Sequence, residues 1–200
     1  MRYSIIGSGS VGMALATQFA RQHITVGLAN SRGPDSLASL PVALAEHVIP
    51  QTLTDALQAQ LILLAVPFRA HRDVAAALGD WQGKIVIDAT NAYGIPLSEL
   101  GGQPSSAVVA RAMPGATLVK AFNHLPAAQL AQEPASAGGR RAIFLAGDDD
   151  AAVETVAALV QRLGYAPVSL GKLAEGGLLV QAREQQWAPL IFQDLFKKDS

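Results

Sequence analysis

The chain holds 200 residues, half of them hydrophobic, with 16 Asp and Glu against 15 Lys and Arg and a formal net charge of -1. That length supports one large core, with little room for a second domain, and the near-neutral charge with no dense basic cluster gives nucleic acid no purchase. Cysteine is absent, which excludes a disulfide framework, a thiolate metal site and a cysteine nucleophile. The four histidines, His23, His47, His71 and His124, are scattered without metal-ligand spacing, so no metal is expected. The longest apolar run, Leu61 to Val66, is far short of the roughly 20 residues that span a bilayer. With no signal-like stretch before the first motif, a cytoplasmic protein without a membrane partner is expected.

The first dozen residues organise the rest. Met1 to Ile6 reads as a short apolar strand running into Gly7-Ser8-Gly9-Ser10-Val11-Gly12, the G-x-G-x-x-G spacing, and Val11, Met13, Ala14, Leu15 and Phe19 continue as a helix. In such a turn Gly7 permits the bend, Gly9 lets a pyrophosphate approach the backbone, and Gly12 lets helix and strand pack closely. The free N–H groups and positive dipole end of the helix starting near Ser10 make an anion site. Ile24 to Ala29 is the second strand, ending in Asn30-Ser31-Arg32. An NAD-binding fold places a carboxylate there for the ribose 2′-hydroxyl. A hydroxyl, an amide and a guanidinium instead suit the 2′-phosphate of NADP.

Ser36 to Leu44 is ambiguous, and His47 to Pro50 reads as a short third strand. Thr54 to Leu57 is a short helix before the all-apolar run Leu61 to Val66, which has the composition of a strand buried on both faces. Pro67 stops it, and Ala65-Val66-Pro67-Phe68 falls at the carboxyl end of a central strand, where open α/β sheets bind ligands. Arg69 to Leu78 reads as helix, with Val74 and Leu78 inward, and Lys84 to Asp88 as the next strand. Thr90 and Asn91 at its end are placed to hydrogen-bond a ribose or a carboxamide, and Asp88 to cap locally.

Ala92 to Gln103 reads as loop, Ser105 to Ala112 as a helix capped near Ser105 or Ser106, and Thr117 to Phe122 as a sixth strand ending in Asn123-His124. Those two are the polar groups expected at the nicotinamide end, with His124 as the candidate general acid or base and Asn123 orienting the acceptor. Gln132 to Arg141 reads as an exposed loop, Ala142 to Ala146 as strand, Ala151 to Leu163 as an amphipathic helix preceded by acids, Ala166 to Leu170 as a last strand, and Lys172 to Arg183 as helix. The alternation predicts a Rossmann-type, doubly wound, mostly parallel α/β sheet with helices on both faces, spanning residues 1–200 as one NADP-binding domain. Trp187 to Phe192 carries large apolar groups that need cover, so the segment from about 172 to 200 is expected to close over the pocket or bury itself in a homodimer.

Several strings together resemble the NADPH-dependent reductases of the deazaflavin coenzyme, the F420-dependent NADP oxidoreductases, and their dinucleotide-binding relatives. They are Ile5 to Gly12, Asn30 to Arg32, Ala65 to Phe68, Asp88 to Asn91, Val119 to Asn123, Phe144 to Asp149 and Leu163 to Gly171, in family order. The resemblance implies a Rossmann domain reading the 2′-phosphate with Ser31 and Arg32, and a small-molecule redox acceptor, a flavin or deazaflavin ring, lying against the nicotinamide. Hydride then passes between rings with no side-chain acid or base required. His124 stands where the family has a small polar residue, and the tail beyond Gly176 diverges. Two other readings follow from the residues, a reductase of a small carbonyl or imine using His124, and a non-catalytic NADP-binding sensor.

Overall fold

The computed structural model describes residues 1–136 and 138–198. Strand β1 (Tyr3–Ile6) turns through the glycines into α1 (Ser10–Arg21), and β2 (Val26–Ala29) follows. Helix α2 (Val42–Ala45) leads to β3 (Val48–Pro50), and α3 (Leu53–Ala56) returns the chain to β4 (Leu61–Leu64). Next come α4 (His71–Ala76), β5 (Ile85–Asp88), β6 (Ala92–Tyr93), α5 (Leu97–Leu100), α6 (Ser105–Ala112) and β7 (Thr117–Lys120). The last part holds α7 (Ala127–Leu130), β8 (Ala135–Ser136), β9 (Gly139–Gly147), α8 (Asp150–Arg162), β10 (Ala166–Ser169), β11 (Arg183–Glu184) and β12 (Phe196–Lys198).

The main sheet runs β3-β2-β1-β4-β5-β7-β9-β10. Its strands from β3 to β7 are parallel, β9 lies antiparallel to β7, and β10 is parallel to β9. This is the Rossmann-like doubly wound arrangement. Leu61, Ile62, Leu63 and Leu64 are all wholly buried, because a central parallel strand is covered on both faces. Alternate residues feed two cores. Ile5, Leu61, Leu63 and Ile87 pack with Leu15 and Phe19 of α1 and Val156 and Val160 of α8. Ile6, Ile62, Leu64 and Val86 pack with Val74 of α4, Val109 of α6 and Trp81 on the other face. Asp149 caps α8 by accepting the Ala152 N–H at 2.8 Å, as the acid-rich turn suggests.

Four local readings are corrected. Residues 172–183 form no α-helix but a single 3₁₀ turn, Gly176–Leu179; Gly176 packs so tightly on Leu170 that a Cβ would strike its carbonyl, a backbone approach that a regular helix of larger residues would prevent. Half of the expected loop from Gln132 to Arg141 is sheet, since β8 and β12 both pair with the start of β9; Ala137 lies outside the described residues. Ser105 and Ser106 are buried and make no cap, for Pro104 holds that position. The stretch read as loop from Ala92 to Gln103 also contains β6, which pairs in parallel with β11 of the tail.

Candidate functional site

Going outward from β1, the chain fills one side of the sheet with β2 and β3 and then crosses to β4 on the other. The carboxyl ends of β1 and β4 therefore face a crevice at the switch of direction, the place where such sheets take ligands. Gly7 (φ +112°) turns the chain there, and a Cβ on it would strike the Ala65 carbonyl. Its N–H bonds the Ala29 carbonyl at 2.8 Å, while Ala65 N–H bonds that of Ile6 at 2.8 Å. Gly12 lies so close over Gly7 that a Cβ would strike the Gly7 carbonyl. Gly9, by contrast, faces open space, with nothing within 4 Å of where its Cβ would be. The start of α1 has no side-chain cap and no acid in its first turn, so among the described residues no side chain caps its N–H groups.

Two lobes meet over this turn. One, of about 430 Å³, is lined by Ile6, Gly7, Ser8, Gly9, Asn30, Ser31, Arg32, Leu53, Ala65, Val66, Pro67, Ala70, Asp73 and Val74. The other, of about 270 Å³, is lined by Gly9, Ser10, Val11, Ala65, Val66, Pro67, Phe68, Ala89, Thr90 and Asn91. Gly9, Ala65, Val66 and Pro67 belong to both, so the lobes form one cleft bent over the anion-binding end of α1. Every sequence-predicted cofactor residue lines it except Gly12, which underlies it. Asn30 organises the first lobe by donating to Ser8 Oγ at 2.9 Å and to Ser36 Oγ at 3.0 Å, while its Oδ1 accepts the Arg32 N–H at 2.9 Å. Ser31 and Arg32 are exposed at its rim. Leu53, Ala70 and Asp73 also line it without having been singled out from the sequence, and Val74 was read there only as an inward position; the 70, 73, 74 spacing on one helical face is the signal for the last three.

Beneath the second lobe lies a buried ion pair. Lys120 Nζ donates to Asp88 Oδ2 at 3.0 Å and to the Thr90 carbonyl at 2.8 Å, with side chains 1% and 0% exposed. Asp88 also accepts from the Thr90 N–H, the Thr90 hydroxyl and the Ser106 hydroxyl at 2.9, 2.6 and 2.7 Å. Burial opposes the charge on Asp88, but Lys120 and these donors outweigh it and hold the carboxyl below its usual range. Asp88 thus caps the turn locally through the Thr90 N–H, and does so from a wholly buried position. Asn91 and Asn123 clasp each other: Asn91 Nδ2 donates to the Asn123 carbonyl at 2.8 Å and Asn123 Nδ2 to Asn91 Oδ1 at 3.0 Å. Asn123 Nδ2 also bonds the Val180 carbonyl at 2.5 Å, tying in the tail.

His124 points elsewhere. It is wholly buried, with Nε2 3.2 Å from the Ala142 carbonyl and its ring against Phe144. Burial lowers its pKa to about 4, only partly offset by the Ala142 carbonyl and Asp194. Nε2 therefore donates, and Nδ1 has no partner among the described residues. His124 lines neither lobe. The tail makes its own hollow of about 180 Å³, lined by residues including Gln181 and Trp187, and Tyr93 and Trp187 stack beside it with centroids 4.3 Å apart.

Among the described residues no helix is long and apolar enough to cross a membrane, and no group of three or more His, Asp or Glu side chains is arranged to hold a metal ion.

Comparison with known proteins agrees with this geometry. Residues 2–92, which carry both lobes' glycine, Asn30–Arg32, Ala65–Pro67 and Thr90–Asn91 positions, match the family described as NADP oxidoreductase, coenzyme F420-dependent. A solved hypothetical protein of Sinorhizobium meliloti is 43% identical, with a TM-score of 0.90 over 98% of this chain and 96% of that one. A solved protein of Arthrobacter sp. FB24, described as a candidate F420-dependent NADP reductase, is 27% identical, with a TM-score of 0.68 over 86% of each chain. The metalloreductase STEAP3 of Rattus norvegicus is 30% identical over 191 residues; that match takes in 94% of this chain but 36% of the relative, so the chain spans about a third of its length.

Proposed function

We propose, from the premise that residues 2–92 are a domain of the coenzyme F420-dependent NADP oxidoreductase family, that the chain binds NADP(H) along the bent cleft and passes hydride between it and a flavin or deazaflavin ring. The observation carrying this reading is the continuity of the two lobes through Gly9, Ala65, Val66 and Pro67, with a cation at one end and a polar turn at the other. The cleft fits the ligand on its own terms. Open space at Gly9 and the uncapped start of α1 suit a pyrophosphate. Arg32 and Ser31 would hold the 2′-phosphate, and Leu53, Ala70 and Val74 offer apolar cover for the adenine.

When bound, the dihydronicotinamide supplies two electrons and a proton as one hydride, which the acceptor ring receives. The chain's share is orientation and exclusion of water. Thr90 and Asn91 would hold the carboxamide end and fix which ring face is presented. Asn123 acts behind them, setting the Asn91 amide rather than touching the acceptor. His124, neutral and enclosed, belongs to the packing between β9 and the segment after β7, which favours ring-to-ring transfer over a small carbonyl substrate that needs a proton donor. A cytoplasmic setting and one NADP-binding unit over the whole chain are parts of the same proposal, and a homodimer is one way to cover the exposed aromatic side chains of the tail.

The test is oxidation of NADPH and NADH at equal concentration with deazaflavin, FMN, FAD or riboflavin as acceptor, repeated with Arg32→Ala. Turnover preferring NADPH, with the preference falling roughly tenfold or more in the variant as a charge-assisted phosphate contact is lost, supports the reading. Tight NADPH binding with no acceptor reduced would replace it with a sensor.

A further inference from the structure

We infer that Lys120, held between Asp88 and the Thr90 carbonyl, is a positioning residue for the nicotinamide half of the cleft; this rests on the reading of the cleft as an NADP(H) site. Lys120, Asp88 and Ser106 line neither lobe. All three grip the Asp88 to Asn91 turn from below, and Ala89, Thr90 and Asn91 of that turn line the second lobe. Lys120 joins the side chain at the start of the turn to a carbonyl two residues on, closing it as a ring.

The strand that carries Lys120 braces the turn a second time. Phe122, wholly buried, sits in the left-handed region (φ 63°) although it is not a glycine, a strained conformation that persists only where its surroundings impose it. Its kink brings Asn123 round to clasp Asn91. Two contacts from consecutive stretches of one strand end thus fix both polar residues of the turn, and the Ser31–Arg32 end of the cleft shares none of them. A buried ion pair is weak support for stability, since apolar residues of like volume often serve as well. Its placement under a ligand-lining turn assigns it a positioning role instead.

That division makes a test independent of the hydride acceptor. The full chain and the double variant Asp88→Asn with Lys120→Met, which removes the ion pair without leaving a lone buried charge, are compared for equilibrium binding of NADP⁺ and of 2′,5′-ADP, which contains only the adenosine half. The variant is expected to bind 2′,5′-ADP as the parent does and to lose about tenfold in NADP⁺ affinity, the effect of one or two mis-set hydrogen bonds. Equal losses for both ligands, or none for either, overturn the inference. Should the double variant fail to fold, Ser106→Ala, which removes one Asp88 partner and keeps the ion pair, is expected to show the same split at about threefold; the absence of any split there overturns it equally. A parent chain that binds neither ligand overturns the cleft reading itself.

Discussion

Gly9 and Gly12, three positions apart in one motif, make opposite demands. Gly12 is needed by the fold, since any Cβ there meets the Gly7 carbonyl, whereas Gly9 faces open space and, in the proposed reading, leaves room for the pyrophosphate. Gly12→Ala is therefore expected to lose several kcal/mol of folding stability, of the order seen for overpacked cores, while Gly9→Val keeps the urea midpoint within the small range of surface changes and weakens NADPH binding. Equal stability of the two variants would refute the assignment. His124 yields a pH prediction. Its folded-state pKa, about 4, lies below the usual 6.5, so the folded chain binds fewer protons than the unfolded one between those values. The stability this confers is present above pH 6.5 and is lost as pH falls through 4, by about 3 kcal/mol in all. Asp88, also depressed, adds loss of the same sign at lower pH. Denaturant midpoints from pH 7 to 4 measure it, and His124→Leu is expected to flatten that span; a wild-type profile already flat would refute the burial argument. At this scale the gathering of the glycine turn, Asn30–Arg32 and Thr90–Asn91 along one cleft was legible, because residue type and spacing put them at neighbouring strand ends. His124 was not, because polarity at a strand end does not say which way the kinked Phe122–Asn123 backbone turns the next side chain.

The elements divide by how local their causes are. The parallel strands and α8 could be read directly, since an all-apolar run, a capping acid and a 3.6-residue period are properties of neighbouring residues. The start of β9 could not, because Gly139, Arg140 and Arg141 look like loop until β12, more than 50 residues on, pairs with them. Arg141 shows what holds that strand down. It is 4% exposed and donates Nε to Asp194 Oδ1 at 2.6 Å and Nη1 to the Gln129 and Glu133 carbonyls at 3.0 and 3.2 Å, with its guanidinium 5.0 Å from the centre of the Phe196 ring. One side chain thus joins β9 to the α7 loop and the tail. Arg141→Met is expected to cost about 2 kcal/mol or more, because the Gln129 and Glu133 carbonyls lose their charged donor and the packing of the guanidinium on Phe196 is lost, while Asp194, a third exposed, turns to solvent; Asp194→Ala is expected to cost about 1 kcal/mol, since Arg141 keeps its carbonyl partners. Urea midpoints check this. Equal costs would mean that the ion pair alone, and not the joint, holds the tail.

For the molecule as a whole, the position of the cleft matters more than its volume. It lies on the line where β1, β2 and β3 meet β4, β5 and β7, with Arg32 on one side of that line and Thr90 and Asn91 on the other. A ligand filling both lobes touches both halves of the sheet and only in the folded state, so its binding energy adds to the stability of the whole. At a hundred times its dissociation constant a ligand contributes about 2.7 kcal/mol, and a chain of this size gains roughly 2–4 °C in Tm per kcal/mol, so roughly 5–11 °C is expected with saturating NADPH. NADH lacks the 2′-phosphate that Arg32 and Ser31 would hold, so at the same concentration its shift is expected to be smaller. Arg32→Ala should lower the NADPH shift toward the NADH value, leaving the Ser31 share, and leave the NADH shift unchanged, because the two ligands differ only at that end. Equal shifts for the two nucleotides in the unaltered chain would place the 2′-phosphate away from Arg32, and a shift that Arg32→Ala lowers equally for both would make that residue a part of the adenosine lobe rather than its reader of phosphate.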